Sequence, residues 1–419
     1  MRGQGLITGA LLTTIAVWMY LHSSLGTLDP DSAQYLQFAG ELSGYPIPQV
    51  GGMVEFADGR LWRPPLYSVL LAFGMTVTGG SPVAAIKLVH ALSMVLAFAV
   101  LVGCLPKGSS SLKTFLLYLI ATIPVLRFSQ LIVPVWICYQ FAVVAFSFGL
   151  LWLRTKKIVS LTLLTGALQL LALTRADYAV LLVLPVFFLA HHSRSALKTL
   201  LCGLGAFSPI LLWLTINAAT VGCATLSPLG SYTLLSSAVT LGEPRAQASD
   251  SQATKRFVEF LQATRIPTSL SQRASVANPF NDTFADILQL NFWKISDYQR
   301  TQNVEVCSFI RLSKKVAFQT LKEHPVALLQ LLVAVFAASL WLSPILLYGL
   351  LRLKRRDTTS LDSVYPLAAC WTYSAQVLYL LVVGMLGGIQ AKHFAPMLSV
   401  TLLAGFLLVA DQIRRRSSG

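Results

Sequence analysis

The sequence is poor in charged residues. Only 12% of its 419 residues are Asp, Glu, Lys or Arg, whereas 55% are apolar. In soluble domains about a quarter of the residues are charged. This composition excludes an ordinary soluble enzyme. The 32 basic and 17 acidic residues give a net charge of +15. The basic residues lie between long apolar runs and do not cluster on a polar domain. The excess of positive charge therefore does not indicate a nucleic-acid partner.

The sequence also lacks any grouping of its cysteines. The six cysteines are scattered and none forms a C-x-x-C pair. This spacing indicates neither a zinc site nor a disulfide scaffold. No internal repeat, heptad pattern or low-complexity tract is present that would favour a solenoid or a coiled coil.

Long apolar runs are what the sequence has in abundance. A membrane-spanning helix needs about 20 apolar residues, and the runs predict about ten of them. We therefore expect an all-α polytopic membrane protein with juxtamembrane helices and one larger outer loop. The first run is interpreted as an uncleaved helix. The predicted spans are 5–25, 82–104, 114–132, 134–153, 158–174, 178–192, 199–217, 325–351, 364–386 and 395–410.

One further apolar run, 66–77, has 12 residues and is too short to cross a membrane. We place it on or dipping into the outer surface. Short cytoplasmic loops are rich in Lys and Arg, and with 66–77 not crossing, fifteen basic residues fall on one side, which includes both chain ends. These are Arg2, Lys107, Lys113, Arg154, Lys156, Lys157, Arg194, Lys198, Arg352, Lys354, Arg355, Arg356, Arg414, Arg415 and Arg416.

This orientation gives two large outer loops, 26–81 and 218–324. The predicted organisation is an N-terminal transmembrane module over 1–217, an extracytoplasmic subdomain over 218–324 and C-terminal transmembrane helices over 325–419. The second loop contains an amphipathic pattern near 312–323 that predicts a helix in the membrane interface. Cys223 and Cys307 are the only cysteines in these loops, and the sequence leaves open whether they form a disulfide.

The first outer loop holds the residues best suited to chemistry. Asp31 follows Asp29-Pro30 at the start of a predicted helix. It either complements the helix dipole or acts as a base or metal ligand at the membrane surface. Arg63 precedes Pro64-Pro65 and binds either lipid headgroups or a substrate phosphate. Glu55 and Asp58 lie near Arg63 in sequence and are either solvated loop acids or a second carboxylate.

Two sequence motifs in this loop resemble motifs of a known protein family. D-S-x-x-Y-L-x-x-A begins at Asp31, and R-P-P-L-Y-x-x-L-L-A begins at Arg63. Together they resemble the first outer loop of GT-C glycosyltransferases, in the branch of the protein O-mannosyltransferases and the aminoarabinose transferase of lipid A. Where that branch often has an acidic pair, this chain has Asp31 followed by Ser32. Thr174-Arg175-Ala176-Asp177-Tyr178 and Lys392-His393-Phe394-Ala395-Pro396 resemble later motifs of the family.

The resemblance implies an inverting transfer of a sugar from a polyprenyl-phosphate donor to a protein, glycan or lipid acceptor at the outer membrane face. Asp31 is then the general base. Asp177 is expected to orient Arg175 or to be a second carboxylate, and Glu55 and Asp58 are the other candidates for that second carboxylate. Whether a divalent cation, Mg²⁺ or Mn²⁺, is needed stays open. Cations at outer helix ends are expected to hold the leaving phosphate: Arg63, Arg127, Arg175, Lys392 and His393.

Two other functions fit a chain with many spans. An O-antigen ligase or polymerase-type enzyme also has one large outer loop, but such enzymes lack a carboxylate motif after the first span. A lipid or solute transporter is expected to show repeated halves and broken helices at mid-membrane, and the sequence shows neither. The bacterial inner membrane, with the active site facing the periplasm, is the preferred location, although the endoplasmic reticulum would suit the same chemistry.

Overall fold

A computed structural model of the chain describes most of its helices. The described residues are 32–46, 63–105, 109–126, 128, 133–193, 195–225, 229–277, 283–340, 343–354, 364–387 and 391–417. Within these ranges every regular element is a helix, as the composition predicts.

The helices of the first half begin with α1 and end with α8, which precedes the second outer loop. A 3₁₀ helix, Ala176–Leu182, separates α6 from α7. The bounds are α1 Ser32–Ser43, α2 Leu66–Val77, α3 Pro82–Cys104, α4 Ser111–Leu126, α5 Val135–Thr155, α6 Ile158–Thr174, α7 Val183–Ser193 and α8 Ala196–Val221.

The second half contains the helices of the segment 218–324 and the C-terminal apolar helices. A short 3₁₀ turn, Ser275–Ala277, follows α11. The bounds are α9 Leu229–Leu241, α10 Gln252–Thr264, α11 Leu270–Ala274, α12 Thr283–Thr301, α13 Val306–Glu323, α14 Pro325–Ser339, α15 Ser343–Lys354, α16 Val364–Gly387 and α17 Ala391–Ser417.

The chain divides into two compact units. Unit 1 comprises residues 1–211, 342–376 and 395–419, and unit 2 comprises 212–341 and 377–394. Five helical segments within the described residues are long and apolar enough to cross a membrane. The membrane character predicted from composition therefore has direct support in the helices, whereas the count of ten spans remains a prediction. The five segments are 82–104, 135–155, 176–193, 196–220 and 395–413.

In unit 1 the short helix α2 has the bounds predicted from the sequence. It starts after Pro64-Pro65 and ends before Gly79 and Gly80, which have positive φ values of 68° and 89°. Glycine adopts such angles without steric cost, so the chain turns back directly into α3. Ser81 caps α3 by accepting a hydrogen bond from the Ala84 amide at 3.3 Å. Helices α2 and α3 thus form a tight hairpin, and α1 packs on α2.

Helices α5 and α6 form the second hairpin of unit 1. Their connection is made by Lys156, whose φ of 52° is left-handed, and the Lys156 ammonium lies 4.3 Å from the centre of the Trp152 ring. Arg154 donates a hydrogen bond to the Cys104 carbonyl at 2.6 Å. This connection therefore places the basic residues at one end of the hairpin and Val135 and Thr174 at the other.

The run predicted as one span over 325–351 contains two described helices, α14 ending at Ser339 and α15 starting at Ser343, and residues 341–342 between them lie outside the described residues. Pro344 suits the first turn of α15, because proline has no amide hydrogen to donate there. Hydropathy is continuous through this run and does not mark these two helix ends. Whether the run crosses the membrane as one span stays a prediction.

Unit 2 contains a small helical core built on α9, α12 and α13. Its centre is aromatic: the Phe309 ring lies 5.1 Å from Tyr232 and 5.3 Å from Phe257. The amphipathic helix predicted near 312–323 is α13, and its apolar side is buried in this core, against α9. Cys223 and Cys307, whose pairing the sequence left open, form a disulfide with a Cα–Cα distance of 5.7 Å.

Candidate functional site

A cluster of polar and aromatic side chains occupies one end of the unit 1 helices. It begins at Arg63, directly before α2. The Arg63 Nε donates a hydrogen bond to Gln34 Oε1 of α1 at 2.9 Å, and its guanidinium lies 5.5 Å from the centre of the Tyr35 ring. An arginine held by an amide and by an aromatic face keeps its fork of donors in a fixed direction.

Next to Arg63, a contact between two tyrosines joins α1 and α2. The Tyr35 and Tyr67 rings meet edge to face with centres 5.0 Å apart, and both residues are buried. The Tyr67 hydroxyl has no hydrogen-bond partner within the described structure. Burial, followed by the electrostatic effects of Tyr35 and Cys138, raises the pKa of Tyr67 well above its usual value. Its hydroxyl is therefore neutral and able to donate.

The second cationic group of the cluster follows α6. Arg175 is extended, with φ −148°, and binds Asp177 by two parallel hydrogen bonds, Nε to Oδ1 at 3.2 Å and Nη2 to Oδ2 at 2.9 Å. The two side chains are 13% and 19% exposed. Asp177 lies in the first turn of the 3₁₀ helix, which begins directly after Arg175. The chain therefore folds locally so that one carboxylate fixes the plane of one guanidinium.

Cys138 connects the two groups. It is fully buried in the first turn of α5. Its thiol lies within electrostatic range of the Tyr67 hydroxyl and of both Arg175 and Asp177. The structure thus brings together Arg63, Arg175 and Asp177, three of the residues that the sequence nominates, around Tyr35 and Tyr67.

Further polar groups line the neighbouring helices α4 and α5. Tyr118 donates a hydrogen bond to Gln140 Oε1 at 2.5 Å, and the hydroxyls of Thr122 and Tyr139 lie 3.2 Å apart. All four residues are buried. Gln140 and Tyr139 follow Cys138 directly, so the same end of α5 carries a hydrogen-bonded polar lining inside apolar helices.

An apolar cavity continues from this end of α5 towards its C-terminus. Ala142, one turn beyond Cys138, lines it together with Phe146 of α5 and Leu171 of α6. The remaining lining is also aliphatic or aromatic, apart from Gly149 and Thr372. The polar cluster therefore lies at the end of a space suited to hydrocarbon.

Several of the nominated residues have no described side-chain environment. Asp31, Glu55, Asp58 and Arg127 lie outside the described residues. Lys392 and His393 are in the first turn of α17. Ser32, the residue after Asp31, is fully buried at the start of α1, and its hydroxyl has no hydrogen-bond partner within the described structure.

Sequence reasoning assigned no role to four residues of the cluster. Tyr35 and Tyr67 belong to the two motifs of the first outer loop, and this was a usable signal because buried tyrosines that keep a hydroxyl in reach are common in binding sites. Gln34 and Cys138 carry no signal in the sequence. Their place depends on tertiary packing of α1 and α5, which no local pattern reports.

The described residues provide few ligands for a metal ion. They contain no group of three His, Cys, Asp or Glu side chains able to hold one, and the carboxylate of Asp177 is engaged with Arg175. The candidate acids Asp31, Glu55 and Asp58 are outside the described residues, so the need for a divalent cation stays an open part of the hypothesis.

The chain matches no protein-family model, no curated protein and no solved structure in the comparisons made.

Proposed function

We propose that this protein is an integral-membrane glycosyltransferase that moves a sugar from a polyprenyl-phosphate donor to an acceptor at the outer membrane face. One observation carries the proposal: buried Cys138 lies within electrostatic range of Arg175 and of Tyr67, whose ring packs against the Tyr35 ring beside Arg63, and the next turn of α5 lines an apolar cavity. Arginines bind phosphate through paired hydrogen bonds, and the apolar lining of the cavity suits the hydrocarbon of a lipid-linked donor. The combination suits a lipid-linked phosphate.

The membrane arrangement we propose has ten spans with both chain ends in the cytoplasm. Arg154, Lys156 and Lys157 at the far end of the α5–α6 hairpin favour a cytoplasmic position for that end. Arg175 and Cys138 are then at the outer end. The Cys223–Cys307 disulfide supports an outer position for the unit 2 loop, because disulfides persist in oxidising compartments such as the periplasm. We place the protein in a bacterial inner membrane.

The chemical step is a single displacement. The acceptor oxygen attacks the anomeric carbon of the sugar and forms the new bond, while the bond from that carbon to the phosphate oxygen breaks. The polyprenyl phosphate leaves with the bonding electron pair, and Asp31 takes the proton of the acceptor hydroxyl. Arg63 and Arg175 stabilise the charge that develops on the phosphate. Attack opposite the leaving group inverts the anomeric configuration.

The test is a transfer assay on the purified full-length chain, with polyprenyl phosphates carrying a radiolabelled hexose or pentose and envelope extracts as acceptor. Asp31→Asn is expected to lower transfer by about 100-fold or more, the usual size of a general-base contribution. Asp297→Asn is the matched control, because Asp297 is 54% exposed in unit 2 and pairs only across one helical turn with Arg300. It should retain transfer.

Full transfer by Asp31→Asn would remove Asp31 from the mechanism. Absence of transfer by the wild-type chain with every donor would contradict the proposal as a whole. Under the same conditions, uptake of a labelled polyprenyl phosphate without release of sugar would favour a lipid transporter, and dependence on a diphosphate-linked glycan would favour a ligase or polymerase. A chelator added to the wild-type assay reports whether a divalent cation is required.

A further inference from the structure

Both ends of helix α13 are connected to apolar helices, α8 and α14. Cys307 in its first turn is bonded to Cys223, two residues after α8 ends at Val221. At its other end only His324 separates it from α14, and the two helices meet at 92°. With α8 and α14 in the membrane, as the proposed topology has them, both ends of α13 are at the level of the membrane surface. The helix then lies along that surface.

One face of α13 points away from the protein. Arg311, Lys314, Phe318 and Lys322 follow one another at intervals of three or four residues, so they share this face. All four are exposed, and Phe318 is 62% exposed. An aromatic ring flanked by basic side chains suits the boundary between headgroups and acyl chains.

The opposite face of α13 is packed against the protein. Phe309, Val316 and Ala317 are buried in the core formed with α9. The helical core of unit 2 covers the apolar side of α13, so the basic side is the one left open to the bilayer in the proposed topology. The apolar stripe of α14 begins one turn after Lys322, with Val326 and Leu329 66% and 60% exposed.

The charges of this face are available to a ligand. Lys315, at the edge, pairs with Asp250 at 2.6 Å, whereas Arg311, Lys314 and Lys322 take no part in the ion pairs of the described structure. Glu305 and Glu323 lie at the two ends of the helix and off the centre of the face. The face therefore presents three cations around one aromatic ring.

We propose that Arg311, Lys314, Phe318 and Lys322 form a docking surface for anionic phospholipids of the outer leaflet, with the cations on the phosphates and Phe318 at the acyl boundary. This inference rests on the topology proposed above. It assigns α13 a role other than its contribution to the core of unit 2, since the apolar side of the helix is occupied by protein and the basic side contacts the lipid. Unit 2 is then seated on the bilayer in one orientation.

The experiment is photocrosslinking of the full-length chain in vesicles. A benzophenone amino acid replaces Phe318, and the vesicles contain labelled phosphatidylglycerol at 30% in phosphatidylcholine. Crosslinking to phosphatidylglycerol is expected to exceed its share of the lipid severalfold. In the triple variant Arg311→Gln, Lys314→Gln, Lys322→Gln the excess should disappear, because each basic residue near a charged surface contributes about fivefold to binding.

The matched control position is Glu259. It is exposed on α10, two residues from Phe257 and so about 200° around the helix from it, and Phe257 contacts Phe309 of α13. A probe at Glu259 therefore points away from α13 and should capture no lipid. The docking surface would be overturned if the probe at 318 captured lipid without preference for phosphatidylglycerol. It would also be overturned if the capture were unchanged in the triple variant, or if the probe captured a second copy of the chain. Capture of no lipid at 318 in a chain whose sugar transfer is intact would overturn the docking surface and leave the proposed function standing.

Discussion

Arg175 and Asp177 form a two-bond ion pair across only one intervening residue, with distances of 3.2 and 2.9 Å. The pair requires the abrupt change from α6 to the 3₁₀ helix, because two residues separated by one position on a continuous α-helix do not face each other. The sequence suggested that Asp177 orients Arg175. The contact this role needs is present, and the role itself is open to test.

Removing the carboxylate should loosen Arg175 without removing its charge. We expect Asp177→Asn to raise the KM for the polyprenyl-phosphate donor by about tenfold, which corresponds to about 1.4 kcal/mol, with a smaller change in kcat. Donor titrations in the transfer assay measure this. Arg175→Lys should cost more, because a point charge cannot replace the guanidinium fork. An unchanged KM in Asp177→Asn would show that the pair only stabilises the turn.

The disulfide between Cys223 and Cys307 should support the stability of unit 2. It closes a separation of 84 residues, and loss of a native disulfide typically costs about 2–5 kcal/mol. We expect Cys223→Ser or reduction by dithiothreitol to lower the Tm of the purified chain. Cys202→Ser is the control, because Cys202 is a free thiol on α8. Peptide mapping that finds Cys223 alkylated in unreduced protein would contradict the pairing.

The positions of helices were predictable where local residues mark their ends. Helix α2 is bounded by a proline pair and a glycine pair, and 66–77 was confirmed residue by residue; 82–104 and 158–174 were confirmed in the same way. The end of α14 at Ser339 and the start of α15 at Ser343 were not predicted, because hydropathy alone was considered there. Proline in a first helical turn was the available signal.

The candidate site was predictable only in part. Arg63, Arg175 and Asp177 were nominated from motifs and from their places at outer helix ends. Their proximity to Cys138 and Tyr67 depends on the packing of the α2–α3 hairpin against the α5–α6 hairpin. Proximity between residues so far apart in the chain is set by tertiary structure and leaves no periodic trace in the sequence.

The orientation of the membrane helices has a direct test. Reporter fusions after residues 110 and 250 should report opposite sides, cytoplasmic for the first and outer for the second, because basic residues gather around 107–113 and the disulfide lies in the loop containing 250. Alkaline phosphatase and a fluorescent protein that folds only in the cytoplasm give complementary readings. The same side for both fusions would contradict the ten-span arrangement.

Unit 2 should lose stability in acid through Asp250. Its hydrogen bonds from Lys315, at 2.6 Å, and from the Gln247 amide, at 2.7 Å, lower the pKa of its carboxyl below the ordinary value of 3.8. The stabilisation is therefore fully present above pH 3.8 and is lost as the pH falls through the lower pKa of the folded state. We expect Asp250→Asn to cost about 1–2 kcal/mol at neutral pH.

Thermal unfolding at pH 7 and in acid checks this effect. The Tm difference between wild type and Asp250→Asn should shrink in acid, where the wild-type carboxyl is protonated as well. Asp297→Asn, which removes an exposed carboxylate, should follow the wild type at both pH values. A difference independent of pH would assign the effect of Asp250 to packing and not to its charge.

The variant Tyr67→Phe distinguishes a contribution of the Tyr67 hydroxyl to stability from a contribution to sugar transfer. The Tyr67 hydroxyl is buried and lacks a partner within the described structure, so its removal should leave the Tm unchanged or raise it. The ring contact with Tyr35 is retained. If this hydroxyl donates to the donor phosphate or sugar, transfer should fall by about tenfold, the loss expected for one neutral hydrogen bond. Transfer assays and thermal unfolding on the same preparation give both values.

Ser313→Ala is the matched control for Tyr67→Phe. Ser313 is also buried, and its hydroxyl likewise lacks a partner within the described structure, but it belongs to the core of unit 2. It should therefore share the neutral or favourable effect on Tm and leave transfer unchanged. A fall in transfer for both variants would mean that buried hydroxyls matter through packing. A fall for Tyr67→Phe alone, with its Tm intact, would place the hydroxyl in contact with the substrate, because no other partner for it exists among the described residues.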